Sequence, residues 1–369
     1  MKRFDVPILV TRPYLPPIED FKMGCEEIWA NQWLTNNGPM LLKFQKALSE
    51  YLGVKEANLA LFCNGTLALE LGYYAMGLSG GDVITTPFTF VATSHALKRI
   101  GANPVFADIN PETLCLSPEA AEKMITSRTR AIVPVHVYGC ACDTEGFARL
   151  GEKYGVKIIY DAAHAFGIKS LVGCGEMSMY SFHPTKLFHS CEGGLLVFRD
   201  TKIQRKLFEL RNFAIHSETE CVDVGSNAKM NELQALMGLE CLKKIDELIE
   251  CRQKIFDAYM DVFAPCEELK LVSCSQNKAY VPVIFKDYDT RERVYNELKD
   301  KCNVYSRRYF YPLLTDFAPY AYATGTCPVA EDIASRVLTL PTYYGLPLDY
   351  VKEIAENVVA IVGACRIRI

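Results

Sequence analysis

The sequence predicts an α/β fold: a largely parallel sheet with helices on both faces, followed by a smaller C-terminal α+β domain. Three observations carry this expectation. Short apolar runs rich in β-branched and aromatic residues alternate with helical stretches as far as Phe198. Within those runs consecutive positions are apolar, as in strands buried on both faces, whereas a half-exposed strand alternates. Beyond residue 250 the pattern changes to an isolated strand run and a terminal amphipathic helix.

The strand runs are, in order, Leu59–Phe62, Val83–Thr86, Pro104–Ala107, Ala131–Val135, Val156–Tyr160, Met177–Phe182 and Leu195–Phe198. From Met230 to Phe263 the pattern turns helical, with Leu233, Leu236, Met237, Ile245, Leu248, Ile249 and Ile255 on one apolar stripe. This segment links two domains, expected at 1–249 and 250–369. Ala279–Phe285 reads as a strand, and Asp349–Ala364 as a helix with Val351, Ile354, Val358, Ile361 and Val362 inward. There is no internal repeat and no low-complexity linker.

With 369 residues, half of them apolar, the chain can bury a sizeable core and most simply forms two domains. Its 40 basic and 44 acidic residues give a formal charge of −4 without a basic block, which argues against a nucleic-acid partner. The N-terminus lacks the apolar core of a signal peptide, and no stretch approaches the roughly 20 apolar residues of a membrane span, so a cytoplasmic protein is expected. Fifteen cysteines run from Cys25 to Cys365. Their only close pair, Cys140 and Cys142, has no second pair at zinc-ribbon spacing, so reduced, small buried side chains are expected, not metal ligands or disulfides.

In an open parallel sheet, ligands bind beyond the carboxyl ends of the strands. Asp161 stands there, directly after Val156–Tyr160. The run Leu59–Phe62 ends at Cys63-Asn64-Gly65-Thr66, and a helical pattern follows at once. Gly65 permits a tight turn, and the free N–H groups of the new helix with the Thr66 hydroxyl make a phosphate cradle, although Gly-Thr before a helix is more often only a cap. Lys186 closes the run Ser181-Phe182-His183-Pro184-Thr185-Lys186. A lysine can form a Schiff base with an aldehyde cofactor, whose ring nitrogen then needs a carboxylate such as Asp161. As an isolated pair, a solvated lysine and a strand-end cap would be the commoner explanation.

The surrounding motifs reverse that balance. Gly65-Thr66, the run Thr86 to Thr93, Asp161-Ala162-Ala163-His164, Ser181 to Lys186 with Glu192-Gly193-Gly194, and Asn227 to Ala235 stand in the order and spacing of the DegT/StrS sugar aminotransferases. The chain resembles this family of fold-type-I pyridoxal phosphate enzymes from about residue 7 to the final helix. The resemblance implies that Lys186 binds the cofactor and moves the substrate proton, and that Asp161 pairs with the ring nitrogen. Phe90 would stack on the ring, while Gly65, Thr66, Leu67 and Ser181 would hold the phosphate. His164 would lie near the ring hydroxyl, where glutamine is commoner. Asn227 would reach the phosphate of a second subunit, making a homodimer with shared sites. The stretch from Gly167 to Ser181 is shorter than usual in the family.

The N-terminal segment, Arg12 to Pro17 and Ile28 to Pro39, is similar to the family's viosamine-forming branch. That likeness implies transfer of an amino group from L-glutamate to a nucleotide-linked 4-keto-6-deoxyhexose, giving dTDP-4-amino-4,6-dideoxyglucose for surface polysaccharide. Alternatives are the same chemistry on a GDP- or UDP-linked sugar, a 3-keto sugar or a cyclitol, or a non-catalytic cofactor-binding regulatory protein. The family's dehydratase branch carries histidine in place of Lys186. Apart from that likeness, Trp29 and Trp33 could simply be one face of a first helix packed on the core, and Asn36-Asn37-Gly38 is a polar turn that could border the sugar. Arg307, Arg308, Tyr309 and Tyr311 offer groups suited to a nucleotide diphosphate, against the alternative of solvated arginines.

Overall fold

The computed structural model describes residues 1–363. The chain begins with β1 (Ile8–Leu9), α1 (Ile18–Asn31), α2 (Pro39–Leu52), β2 (Leu59–Phe62), α3 (Gly65–Ala75), β3 (Asp82–Thr85), α4 (Ala92–Arg99) and β4 (Asn103–Phe106). It continues through α5 (Pro118–Lys123), β5 (Thr129–Val133), α6 (Thr144–Tyr154), β6 (Lys157–Asp161), β7 (Met177–Ser181), β8 (Gly194–Phe198) and α7 (Lys202–Leu210). A short hairpin, β9 (Ile215–Ser217) and β10 (Glu220–Cys221), precedes α8 (Glu232–Leu242) and α9 (Ile245–Phe263). The remainder is β11 (Leu269–Leu271), β12 (Val281–Phe285), α10 (Tyr288–Cys302), β13 (Val304–Tyr305), α11 (Pro328–Arg336), β14 (Val337–Leu340) and α12 (Leu348–Gly363).

All seven expected strand runs join one seven-stranded sheet in the order β2-β8-β7-β6-β5-β3-β4. Five of these strands, from β7 to β4, are parallel neighbours, and β8 runs antiparallel to both β7 and β2. The consecutive apolar residues have a direct cause: Ile132 and Ile158 enter the core on one face while Val133 and Ile159 enter the core on the other. Where β2 leaves the sheet it presses on β8, since a Cβ at Gly194 would lie 2.5 Å from the Asn64 carbonyl oxygen.

A second, three-stranded antiparallel sheet has the order β11-β12-β14. It packs with α9, α10 and α12 around a separate cluster in which Val351, Ile354, Val358, Ile361 and Val362 are all buried, as their spacing predicts. Ala364, the expected last residue of this helix, lies outside the described residues. The first residues join this cluster: Phe4 and Ile8 are buried in it, and β1 pairs in parallel with β13.

Some expectations need correction. Met230–Phe263 is two helices, broken at Lys243 and Lys244, with Asn231 and Gln234 forming a capping box at the start of α8. Leu233 faces outward at 40 % exposure, because α8 buries Leu236 and Met237 instead. Trp29 and Trp33 are 66 % and 50 % exposed, and it is Ile28 that anchors α1 in the core. Cys140 and Cys274 form a disulfide, so the expectation of reduced thiols throughout fails there. Cys115, Cys142, Cys241, Cys302 and Cys327 are free and buried as expected, Cys191 and Cys221 are free and exposed, and Cys365 lies outside the described residues. Among the described residues there is no cluster of metal-ligating side chains, and no helix is long and apolar enough to cross a membrane.

Candidate active site

The carboxyl ends of β5, β6 and β7 and the N-terminus of α3 surround a cavity of about 300 Å³. Its lining includes Gly65, Thr66, Phe90, Asp161, His164, Ser181 and Lys186, so residues up to 121 positions apart meet in one place. Parallel strands make this convergence: each ends at the same edge of the sheet and delivers its following residue there.

Asp161 is the last residue of β6 and is 4 % exposed. The Thr93 hydroxyl donates to its Oδ2 at 2.8 Å and the Ala163 N–H to its Oδ1 at 3.0 Å. Burial raises its pKa, opposed by these two hydrogen bonds and by the charge of Lys186. His164 is also buried, and burial pushes its pKa well below the ordinary histidine value, with the Lys186 charge acting in the same direction. Its Nδ1 accepts the Tyr138 N–H at 3.0 Å, so the neutral ring carries its proton on Nε2. Asn277 fixes the adjoining backbone by donating to the carbonyls of His164 and Phe166, both at 2.9 Å.

The start of α3 is open to an anion. Asn64 caps the helix by accepting the Leu67 N–H at 2.9 Å, and the Gly65 and Thr66 amides precede that satisfied position. Leu67 is therefore a correction: its amide is already bonded, and it does not line the cavity. A Cβ at residue 65 would stand 3.3 Å from the Ser181 Oγ, so glycine keeps the space between helix and hydroxyl free. Lys186 Nζ donates to the Tyr280 hydroxyl at 3.3 Å. Phe90 lines the cavity while remaining 53 % exposed.

Other candidates lie elsewhere. Asn227 is exposed, bridges to Asn212 and does not line this chain's own cavity. Asn37 accepts from the buried Arg211 at 2.8 Å, and Gly38 abuts Glu232, whose carboxylate caps α2 by accepting the N–H groups of Met40 and Leu41. The polar turn is thus a structural joint and does not border the cavity. Arg308 is paired with Glu292 and stacked on Tyr295, and Tyr311 packs on Arg291; only Arg307 and Tyr309 of that group line the cavity. Sequence reasoning missed Tyr280, which bonds Lys186 and which it had placed within a strand, and it assigned no role to Thr93, which bonds Asp161, or to His183 and Glu192, which line the cavity. Thr93, His183 and Glu192 each lie within one of the motifs that carry the family resemblance, whereas Tyr280 lies in none.

These residues fit pyridoxal phosphate: an amine facing a cavity, a buried carboxylate held by two donors, a neutral histidine with one free N–H, and a helix N-terminus kept open by glycine. Fold and site together define a fold-type-I cofactor-dependent transferase. The chain belongs to the DegT/DnrJ/EryC1/StrS aminotransferase family, whose sequence profile matches residues 18–359. It is 41% identical over 364 residues to a dTDP-4-amino-4,6-dideoxy-D-glucose transaminase of Shigella dysenteriae, covering 95% of this chain and 98% of that protein. A transaminase of the same name from Escherichia coli is 36% identical, with 95% and 98% covered. The structure of DesI in the presence of its TDP-sugar product superimposes with a TM-score of 0.93 at 32% identity, covering 99% of this chain and 95% of that one.

Proposed function

We propose that the protein is a pyridoxal phosphate-dependent aminotransferase that moves the amino group of L-glutamate to dTDP-4-keto-6-deoxyglucose, giving dTDP-4-amino-4,6-dideoxyglucose for surface polysaccharide. The observation that carries the reaction class is the meeting of Lys186, buried Asp161 and the open start of α3 in one cavity. The choice of sugar rests on the likeness to the two dTDP-4-amino-4,6-dideoxy-D-glucose transaminases along nearly the whole chain.

When bound, pyridoxal phosphate supplies the electron sink that lets the substrate carbon release its proton. Lys186 anchors the group through its amine and, once freed, takes and returns that proton, fixing the stereochemistry of the product. Asp161 would pair with the ring nitrogen and keep it protonated, in a setting where Thr93 and Ala163 hold the carboxylate in orientation. The Nε2–H of His164 is free to donate to the ring hydroxyl. Phe90 would cover a ring face, and Gly65, Thr66 and Ser181 would receive the phosphate. Asn227 acts in the site of a second copy, so the working unit is a homodimer. Within each copy we divide the chain into a large domain, 1–249, and a small one, 250–369, and we take the protein as cytoplasmic.

The test is the mass of dTDP-4-keto-6-deoxyglucose after incubation with protein, cofactor and glutamate; exchange of ketone for amine shifts it by about one mass unit. An unchanged sugar with glutamate still converting the cofactor would leave the aminotransferase but move the substrate to another keto sugar, such as a GDP-linked one. Loss of that half-reaction too would remove glutamate as donor.

A further inference from the structure

We propose that Tyr280 is a positioning residue for Lys186: its hydroxyl holds the lysine amine pointing into the cavity whenever that amine is not engaged. This rests on the role given to Lys186 above. The Nζ of Lys186 donates to the Tyr280 hydroxyl at 3.3 Å and lies 5.9 Å from the centroid of its ring. Among the described residues Nζ has no second hydrogen bond. A lysine side chain has four rotatable bonds, so an amine without a partner spends most of its time out of line with any reacting atom.

The tyrosine itself is held by its surroundings. It precedes β12, and its neighbour Ala279 is tied at both ends: the Ala279 N–H donates to Asn277 Oδ1 at 3.1 Å, and the Ala279 carbonyl accepts from the buried Arg252 at 3.0 Å. The Tyr280 ring packs against His164, Tyr309 and Tyr138 with centroids 4.6, 5.6 and 5.7 Å away. The same Asn277 fixes the His164 backbone, so one framework sets both the wall of the cavity and the direction of the hydroxyl. A phenol oxygen can accept from an ammonium and donate to a free amine, which gives Lys186 the same partner in both of its charge states.

Tyr280→Phe keeps the ring and removes only the hydroxyl. The experiment follows cofactor loading of the cofactor-free protein by visible absorbance, without substrates, beside steady-state turnover and thermal melting. Loading and kcat are expected to slow about tenfold, the scale of one neutral hydrogen bond, while final occupancy, Tm and the KM for glutamate stay within about twofold of wild type. Unchanged loading and kcat would overturn the proposal. So would a variant that loses occupancy and Tm together, since that marks a packing role. If the wild-type protein takes up no cofactor, the reading beneath the proposal falls, and the proposal falls with it.

Discussion

Asp161 shows how a single residue can serve function at the expense of stability. Its carboxyl is buried, and burial raises its folded pKa above the ordinary value despite the Thr93 and Ala163 hydrogen bonds and the Lys186 charge. A raised folded pKa means the folded state binds its proton more tightly than the unfolded chain does. The group's stabilising contribution is therefore complete below the unfolded pKa and is lost as pH rises through the folded one. Above the folded pKa the ionised carboxylate is a cost. Asp161→Asn keeps the shape and removes the charge, so the cofactor-free variant should melt no lower than wild type at pH 7, with any advantage shrinking as pH falls towards the unfolded pKa. Its turnover should nevertheless fall about 100-fold, the consequence of losing roughly 3 kcal/mol of buried charge pairing. Melting curves at two pH values and a kcat measurement check both halves. Asp161 and Lys186 were legible in the sequence because each sits in a short motif directly tied to a strand. Tyr280 was not, because nothing local distinguishes a tyrosine whose hydroxyl meets a lysine 94 positions away from one that fills a strand.

At the scale of elements, the start of α3 concentrates the anion chemistry. Its capping residue, Asn64, takes the Leu67 amide, which confines the open amides to the first two positions. A methyl group at residue 65 would sit 3.2 Å from both the Met179 sulfur and the Ser181 Cβ, tighter than ordinary contact. Gly65→Ala should therefore weaken cofactor binding by about tenfold or more while leaving the helix in place, as a titration of cofactor absorbance would show. The strands were readable because burial on both faces forces consecutive apolar residues. The break between α8 and α9 was not, since their apolar stripes run on in register across Lys243 and Lys244. The Cys140–Cys274 bond was equally hidden: 134 positions separate the two, and only the fold brings the loop after Tyr138 against the loop before Asn277. Hydrogen bonds already join these loops, from the Ser275 hydroxyl to the Tyr138 carbonyl and from the Gln276 N–H to the Gly139 carbonyl. Cys274→Ser should thus lower stability by about 2–5 kcal/mol, most of it through the less restricted unfolded chain. The same change in denaturation midpoint should appear when the wild-type protein is reduced.

The whole molecule raises the question of what completes the site. One chain brings Lys186, Asp161 and the α3 cradle together, yet Asn227 lies outside its own cavity on an exposed segment. Trp29, Trp33, Phe213 and Val224 are also exposed. If two copies share sites, the two defects become separable. A Lys186→Ala homodimer has no anchoring amine in either site, and an Asn227→Ala homodimer lacks the phosphate contact in both, a loss of about 1.5–3 kcal/mol for a hydrogen bond to a charged group. In a mixed dimer both defects fall in one site, and the other site is wild type. Random pairing of equal amounts makes half the dimers mixed, so about a quarter of all sites should regain full activity. Unfolding and refolding the two impaired variants together, with turnover measured at limiting cofactor, therefore reads the architecture directly. Recovery near that fraction requires Asn227 to act across an interface, whereas activity no higher than the mean of the two variants would return Asn227 to its own chain and leave the exposed segment without a role in the site.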